Sequence, residues 1–321
     1  MAGLDPKATP SLAPSADPDV ITGADGGGSP AATPGMTLNL KIDLAVPVDK
    51  GQAAVSPMTV AYAPAPKQLG AQVDVLLWFH GHKGQLNKSV NLKGFSAGDY
   101  LNVPEFKLRD LILKTSKRNF LLVFPTLGDT SKAGLLNRQN QAEAFLQQVL
   151  NGVRANMNPK VTDIGKIVLA AHSGGGAIMS TMAGFGGTFD KVREIWCVDC
   201  TYGSGPAFKA WAANPAHTLD RLWVFSTGSW WVPKLKDPTK PKGPTNPVVN
   251  EHDHRTGTGD DAKLILDFAK ARKSKSIEVL IKPMPPLSNK TDNFTYGVAS
   301  GHNESVAFYF PQLVSTSRTL S

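Results

Sequence analysis

The chain has 321 residues, 41% of them hydrophobic and 19% charged, with 34 Lys and Arg against 26 Asp and Glu for a formal charge of +8. That apolar share excludes wholesale disorder, and the lack of any 18-residue apolar run excludes a transmembrane helix. Two cysteines exclude both a disulfide framework and a four-cysteine zinc site. Residues 1–36 carry six Pro, six Gly and seven Ala but no aromatic residue, too little to offset the entropy of ordering. They read as a disordered leader: a linker, a transport tag or an inert tail. Asp5, Pro6, Lys7, Asp17 and Asp19 interrupt the first 25 residues, so no Sec signal peptide is visible. A cytoplasmic location is expected, with export by a non-Sec specialised secretion system as the alternative. The leader carries −3, which leaves +11 on the body over residues 37–321. Such a field favours solubility first and anionic surfaces second. No zinc-finger, RNP or basic-helix pattern points to specific nucleic acid binding.

From Thr37 to Val46 apolar and polar residues alternate as in a half-buried strand, and Met58–Tyr62 is a second candidate that pairs with it as an antiparallel hairpin. Val73–Phe79, Asn119–Phe124, Lys166–Ala171, Glu194–Val198, Leu222–Phe225 and Ile277–Ile281 are more continuously apolar. Strands of that kind occur where helices cover both faces of a parallel sheet. Helical spacing falls between them. Phe106–Lys117 sets Leu108, Leu111 and Leu113 near one face. Phe145, Leu146, Val149, Leu150 and Val153 form an apolar stripe, and Asp260–Arg272 offers Leu264, Leu266 and Phe268 behind two carboxylates. The alternation predicts an α/β fold with a mostly parallel eight-stranded sheet. Pro233–Pro247 holds five Pro and four Lys and reads as a surface loop. Trp230 and Trp231 precede it as candidate walls of a substrate groove.

The sharpest signal is Ala171-His172-Ser173-Gly174-Gly175-Gly176, between an apolar strand and the helical Ala177–Met182. A strand, a sharp turn carrying Ser and then a helix is the geometry of a nucleophile elbow. Small neighbours let strand and helix approach, and the Gly174 N–H then points at developing negative charge. This pattern resembles the elbow of the α/β-hydrolase superfamily, whose usual form is Gly-x-Ser-x-Gly; here Ala171 stands at the first Gly. Ala-His-Ser-x-Gly is similar to the elbow of some small bacterial lipases.

The resemblance implies a triad in the chain order Ser, acid, His. Of seven histidines only His302 follows the last strand, so it is the expected base. His80, His82, His172, His217, His252 and His254 all come earlier. The superfamily usually carries its acid after the strand matching Leu222–Phe225, which here offers none. Asp199, at the tip of the preceding strand, is the expected acid, as in some lipases of the superfamily. Asp237 is the runner-up. Phe79–Gly84 resembles the loop that supplies the second oxyanion donor, here a main-chain N–H within Gly81–Lys83, with that of His82 the first choice. His80 is expected to pack against the elbow, and Lys83 is either solvated or in contact with an anionic part of the substrate. The implied activity is hydrolysis of a carboxylic ester through an acyl-enzyme, on a small-molecule or lipid-like acyl substrate, with no cofactor or metal. An amidase or peptidase acting on a cell-envelope or peptide substrate, or a non-catalytic effector or binding module on the same fold, are the alternatives. Cys197 and Cys200 have redox-motif spacing but sit at a strand end, so buried structural thiols are expected. Glu251–His254 has metal-ligand residue types without a completing set.

Overall fold

A computed structural model describes residues 3–12, 35–48, 55, 57–82, 106–128, 130–226, 231–235, 239, 248–252, 258–281 and 300–321, with 231–235, 248–252 and 300–304 by backbone alone. In chain order the elements are β1 (Met36–Lys41), β2 (Met58–Ala63), β3 (Gln72–Phe79), α1 (Leu108–Leu113), β4 (Phe120–Pro125), α2 (Gln139–Asn156), β5 (Asp163–His172), α3 (Gly176–Met182) and β6 (Val192–Val198). There follow α4 (Gly205–Ala213), β7 (Arg221–Ser226), β8 (Trp231–Leu235), β9 (Val248–His252), α5 (Gly259–Arg272), β10 (Ile277–Ile281) and α6 (Ser300–Thr316).

Eight strands form one sheet in the order β1-β2-β4-β3-β5-β6-β7-β10. β2 is antiparallel to both neighbours, and the other pairings are parallel. All eight strands are those expected from hydrophobic patterning, including the opening hairpin. The apolar runs are buried on both faces because successive side chains point to opposite sides. Val75, Leu77 and Phe79 of β3 join the core beneath α2 and α3, with Phe145, Val149 and Met179. Leu76 and Trp78 point the other way, into a second core with Leu108 and Ile112 of α1 and Phe310 and Leu313 of α6.

Several expectations are corrected. The helix expected over Phe106–Lys117 is only Leu108–Leu113; Leu108 points inward as expected, but its partner there is Ile112 rather than Leu113, which is 39% exposed. In α5 the buried stripe is Ala262, Ile265 and Ala269, one residue out of phase with the bulkier Leu264, Leu266 and Phe268. α4 was not expected; it buries Phe208 and Trp211 behind a Pro at its start. Pro233–Leu235, expected in a loop, pairs as part of β8 with β9 in a separate antiparallel ribbon. The leader is not free throughout. Its residues 3–12 lie against α2 and the sheet edge, where Gln148 donates to the Asp5 carbonyl and Asn151 to those of Pro6 and Ala8. Lys41 N–H donates to the Ser11 carbonyl at 2.8 Å. These contacts cover backbone groups that an edge strand would otherwise present to other chains.

α6 runs opposite to the sheet. Just beyond its C-terminal end, Ser317 Oγ and the N–H groups of Arg318 and Thr319 donate to the buried Glu194 carboxylate near the start of β6, at 3.0, 2.6 and 2.9 Å. Tyr309, further back, packs on Trp223 and Phe225 of β7. The N-terminal turn of α6 therefore lies toward the C-terminal ends of the strands.

Candidate active site

Ser173 sits between β5 and α3 with φ +52° and is 8% exposed. An L-residue in the left-handed region costs roughly 1–2 kcal/mol, so its surroundings must hold it there. They do so by close backbone approach. A Cβ on Gly176 would overlap the Cys200 carbonyl, so only glycine lets α3 start against the end of β6. Ala171 at the elbow's first position is fully buried.

On one side of Ser173 lies the loop after β3. A Cβ on Gly81 would fall 2.6 Å from the Ser173 Cβ and 3.2 Å from its Oγ, so the Gly81 backbone passes directly over the serine. His82 follows, and its ring occupies the space a Cβ on Gly174 would need. His80 does more than the packing expected of it. Its Nδ1 is 2.7 Å from the Gly81 carbonyl, and its Nε2 accepts from Leu127 N–H at 2.9 Å. The ring is therefore neutral with its proton on Nδ1. Burial pushes its pKa down to about 4. In a trans peptide C=O and N–H point in opposite directions. Pinning the Gly81 carbonyl thus fixes the aim of the His82 N–H. Ser131 Oγ donates to the His80 carbonyl at 2.8 Å and anchors the loop again.

On the other side lies the turn after β6. Asp199 has φ +46°, is fully buried, and accepts from Thr258 Oγ1 at 2.5 Å. A second link joins Thr258 Oγ1 to Ser226 Oγ at 2.7 Å, and Thr201 Oγ1 donates to the Thr258 carbonyl at 3.1 Å. One residue before α5 thus holds both Asp199 and the residue two places on. Asp261, in the first turn of α5, accepts from Gly203 N–H at 2.5 Å and from the N–H groups of Ser204 and Gly205. Between these clamps lies Tyr202. Burial, and secondarily the Asp199 charge, push the Tyr202 phenol well above its usual value, so it is a neutral hydrogen-bonding group rather than a base.

Of the residues expected in the site, the structure brings together Ser173, Gly174, His82 and the turn carrying Asp199. His302 lies in the first turn of α6, and its side chain is outside the described residues. It precedes Tyr309 by seven residues, about 10 Å along a helix axis, toward the C-terminal ends of the strands. Trp231 opens β8, whose side chains are outside the described residues. Lys83, Trp230, Asp237 and His254 also lie outside them. His217 pairs with Asp220 at 2.8 Å and stacks on Trp211, next to the start of β7 and away from Ser173. Cys197 and Cys200 are both buried, and burial pushes the Cys197 thiol well up, as befits structural thiols. Among the described residues no group of three His, Cys, Asp or Glu could hold a metal ion, and no helix is long and apolar enough to cross a membrane. Sequence reading missed Tyr202, Thr258 and Asp261. Only the nearness of Tyr202 to Asp199 could have drawn notice.

The strand order, the single reversed strand β2 and a positive-φ serine between β5 and α3 decide the architecture. The chain has the α/β-hydrolase fold. Searches with protein-family models and against curated proteins give no match. Among solved structures, an α/β-hydrolase fold of this kind is similar to an IroE-like serine hydrolase from Shewanella oneidensis, at 10% identity, covering 86% of this chain and 80% of that one with a TM-score of 0.41. It is similar also to an inhibited esterase B from Lactobacillus rhamnosis, at 10% identity, 87% of each chain and a TM-score of 0.38. The third is LipA, a rice cell wall degrading esterase from Xanthomonas oryzae, at 12% identity, 88% of this chain and 90% of that one, and a TM-score of 0.38. Identities this low transfer no activity, and TM-scores near 0.4 leave the fold to be read from the strand order itself.

Proposed function

We propose that the protein is a serine hydrolase that cleaves a carboxylic ester through an acyl-enzyme. His302 takes the proton of Ser173, whose Oγ attacks the acyl carbonyl. The main-chain N–H groups of Gly174 and His82 receive the oxyanion. Asp199 orients the imidazole and stabilises its charged form. The His302 proton then passes to the leaving oxygen, and water, activated by the same imidazole, hydrolyses the acyl-enzyme. Trp230, Trp231 and Lys83 line the substrate groove in this reading. No cofactor takes part.

The observation that carries the reading is the strained Ser173, held at φ +52° with the Gly81 backbone on one side and the buried Asp199 at the next strand tip. Ser131 and Lys273 also hold positive φ, so what sets Ser173 apart is its place between the end of a parallel strand and the start of a helix, the arrangement that presents an elbow nucleophile. A fluorophosphonate probe tests it. Labelling of the folded wild type that disappears in Ser173→Ala supports the assignment, and a panel of alkyl, aryl and thioesters with matching amides then sets the leaving-group class. A folded wild type that stays unlabelled and hydrolyses no member of the panel overturns it.

A further inference from the structure

A cavity of about 530 Å³ lies among the N-terminal ends of β5, β6 and β7 and the segment that follows α6. Lys166, near the start of β5, and Ser173, just past its end, are seven residues apart, roughly 23 Å along a strand. The cavity is therefore separate from the site described above. Four cations line it, Lys166, Arg193, Arg221 and Arg318, against two carboxylates, Glu194 and Asp220. Both carboxylates are already matched. Glu194 is buried and accepts from Trp196 Nε1, Ser317 Oγ and the N–H groups of Arg318 and Thr319. Asp220 accepts from Arg193 at 3.3 Å and pairs with His217 at 2.8 Å. The buried Arg221 engages Glu278 at 3.1 Å and the Thr316 hydroxyl at 3.0 Å. Lys166 and Arg318 are left over: neither side chain forms a hydrogen bond or ion pair among the described residues. Thr319, 4% exposed, also lines the cavity. Its N–H donates to Glu194 and Ser317, but its hydroxyl has no partner among the described residues. The hydroxyl of a buried residue calls for a partner, and two surplus cations in one cavity call for a counter-charge. One anion supplies both. The frame that holds these groups is fixed, because the Leu320 and Ser321 carbonyls accept from Lys117 Nζ and from the N–H groups of Arg118 and Asn119.

We propose that this cavity is a binding site for a small phosphomonoester, whose phosphate dianion is held by Arg318, Lys166 and the Thr319 hydroxyl. Two surplus positive charges match a dianion. A guanidinium fork, an ammonium and a hydroxyl together suit a tetrahedral group with three acceptor oxygens better than a planar carboxylate with two. The volume is that of a small-molecule site and leaves room beyond the phosphate for an organic remainder. Pro215 and Leu219 line the cavity beside the charges, and Leu219 is 86% exposed, an apolar surface for that remainder to cover. The inference stands apart from the serine hydrolase reading, since no residue is shared between the two sites.

The experiment is calorimetric titration of the full chain with inorganic phosphate and with glucose 6-phosphate at constant ionic strength, so that general screening is held fixed. Vesicles with and without phosphatidic acid serve as a third probe. The variants are Arg318→Gln, Lys166→Gln and Thr319→Val, with Lys270→Gln, an exposed lysine of α5, as the charge-matched control. Thermal unfolding without ligand checks each fold. Arg318→Gln keeps the N–H that Glu194 holds, so its fold is expected to survive. The expected result is saturable binding at one site, weakened about tenfold or more by Arg318→Gln, about threefold or more by Thr319→Val, and unchanged by Lys270→Gln. Glucose 6-phosphate binding tighter than phosphate assigns a soluble ligand. Binding to phosphatidic acid vesicles with the same variant pattern, and to neither soluble probe, assigns a lipid headgroup to the same groups. No binding of any probe overturns the inference. So do equal losses in Arg318→Gln and Lys270→Gln, which would reduce the effect to net charge. If Thr319→Val unfolds, Arg318→Gln and Lys166→Gln decide alone.

Discussion

The two flanks of Ser173 are built by opposite strategies. On the β3 side the group the proposed mechanism uses is a main-chain amide, the His82 N–H, and His80 is buried behind it as a brace. On the β6 side the group the proposed mechanism uses is a side chain, Asp199, and its brace comes from Thr258, just before α5. The contrast follows from the charge each flank must handle. An oxyanion needs two fixed N–H dipoles and no counter-charge. A cycling imidazole needs a carboxylate, and a carboxylate with no exposed surface survives only with donors of its own. A change on the β3 flank should therefore act through backbone aim, and one on the β6 flank through side-chain chemistry.

The largest expected effect breaks the β6 flank. Asp199→Asn keeps the size of the side chain and leaves the Thr258 hydroxyl a carbonyl oxygen to donate to. It removes the charge and favours the wrong imidazole tautomer. A fall in kcat of about 10⁴-fold is expected, with thermal stability little changed. Ester turnover within tenfold of wild type would show that another carboxylate, with Asp237 the first candidate, serves His302.

The next effect reads the brace on the β3 flank through pH. His80 has a folded pKa of about 4 against an unfolded value of 6.5. Between those values the unfolded chain binds the proton and the folded one does not. Stability is therefore fully present above pH 6.5 and is lost as pH falls toward 4, by about 3 kcal/mol at most. Below pH 4 both states are protonated and the slope vanishes. Urea unfolding of wild type and His80→Asn across pH 4–7 isolates this contribution, since the other titrations are common to both. Parallel curves would mean that His80 is solvated or charged in the folded protein.

What the sequence made legible follows the same division. The eight strands were readable because apolar runs of parallel strands are buried on both faces, a local property of composition. The elbow was readable because strain at Ser173 demands small residues at fixed spacing. His80 was seen as packing only, since nothing in Phe79-His80-Gly81 says which carbonyl the ring will hold. Thr258 lies 59 residues beyond Asp199, and its role exists only once the chain entering α5 reaches the turn after β6. α4 was missed because Gly205-Pro206 reads as a turn, and nine residues are too few to show a helical period clearly. Long-range braces leave no periodic trace, whereas the elements they brace do.

The smallest expected effect sharpens the contrast most. His82 is exposed, and its ring lies over Gly174, so its position alone suggests a side-chain role in catalysis. If the β3 flank works through backbone, His82→Ala removes the ring and leaves the N–H whose aim His80 sets through the Gly81 carbonyl. Loss in kcat/KM should then stay within about threefold, against the hundredfold or more typical of deleting an oxyanion donor. A neutral methyl also fits where the ring was, so no overpacking confuses the outcome. Steady-state kinetics on one short soluble ester suffice. A loss near a hundredfold would move His82 from backbone donor to side-chain participant, and the division between the two flanks would have to be drawn through the residue rather than between the strands.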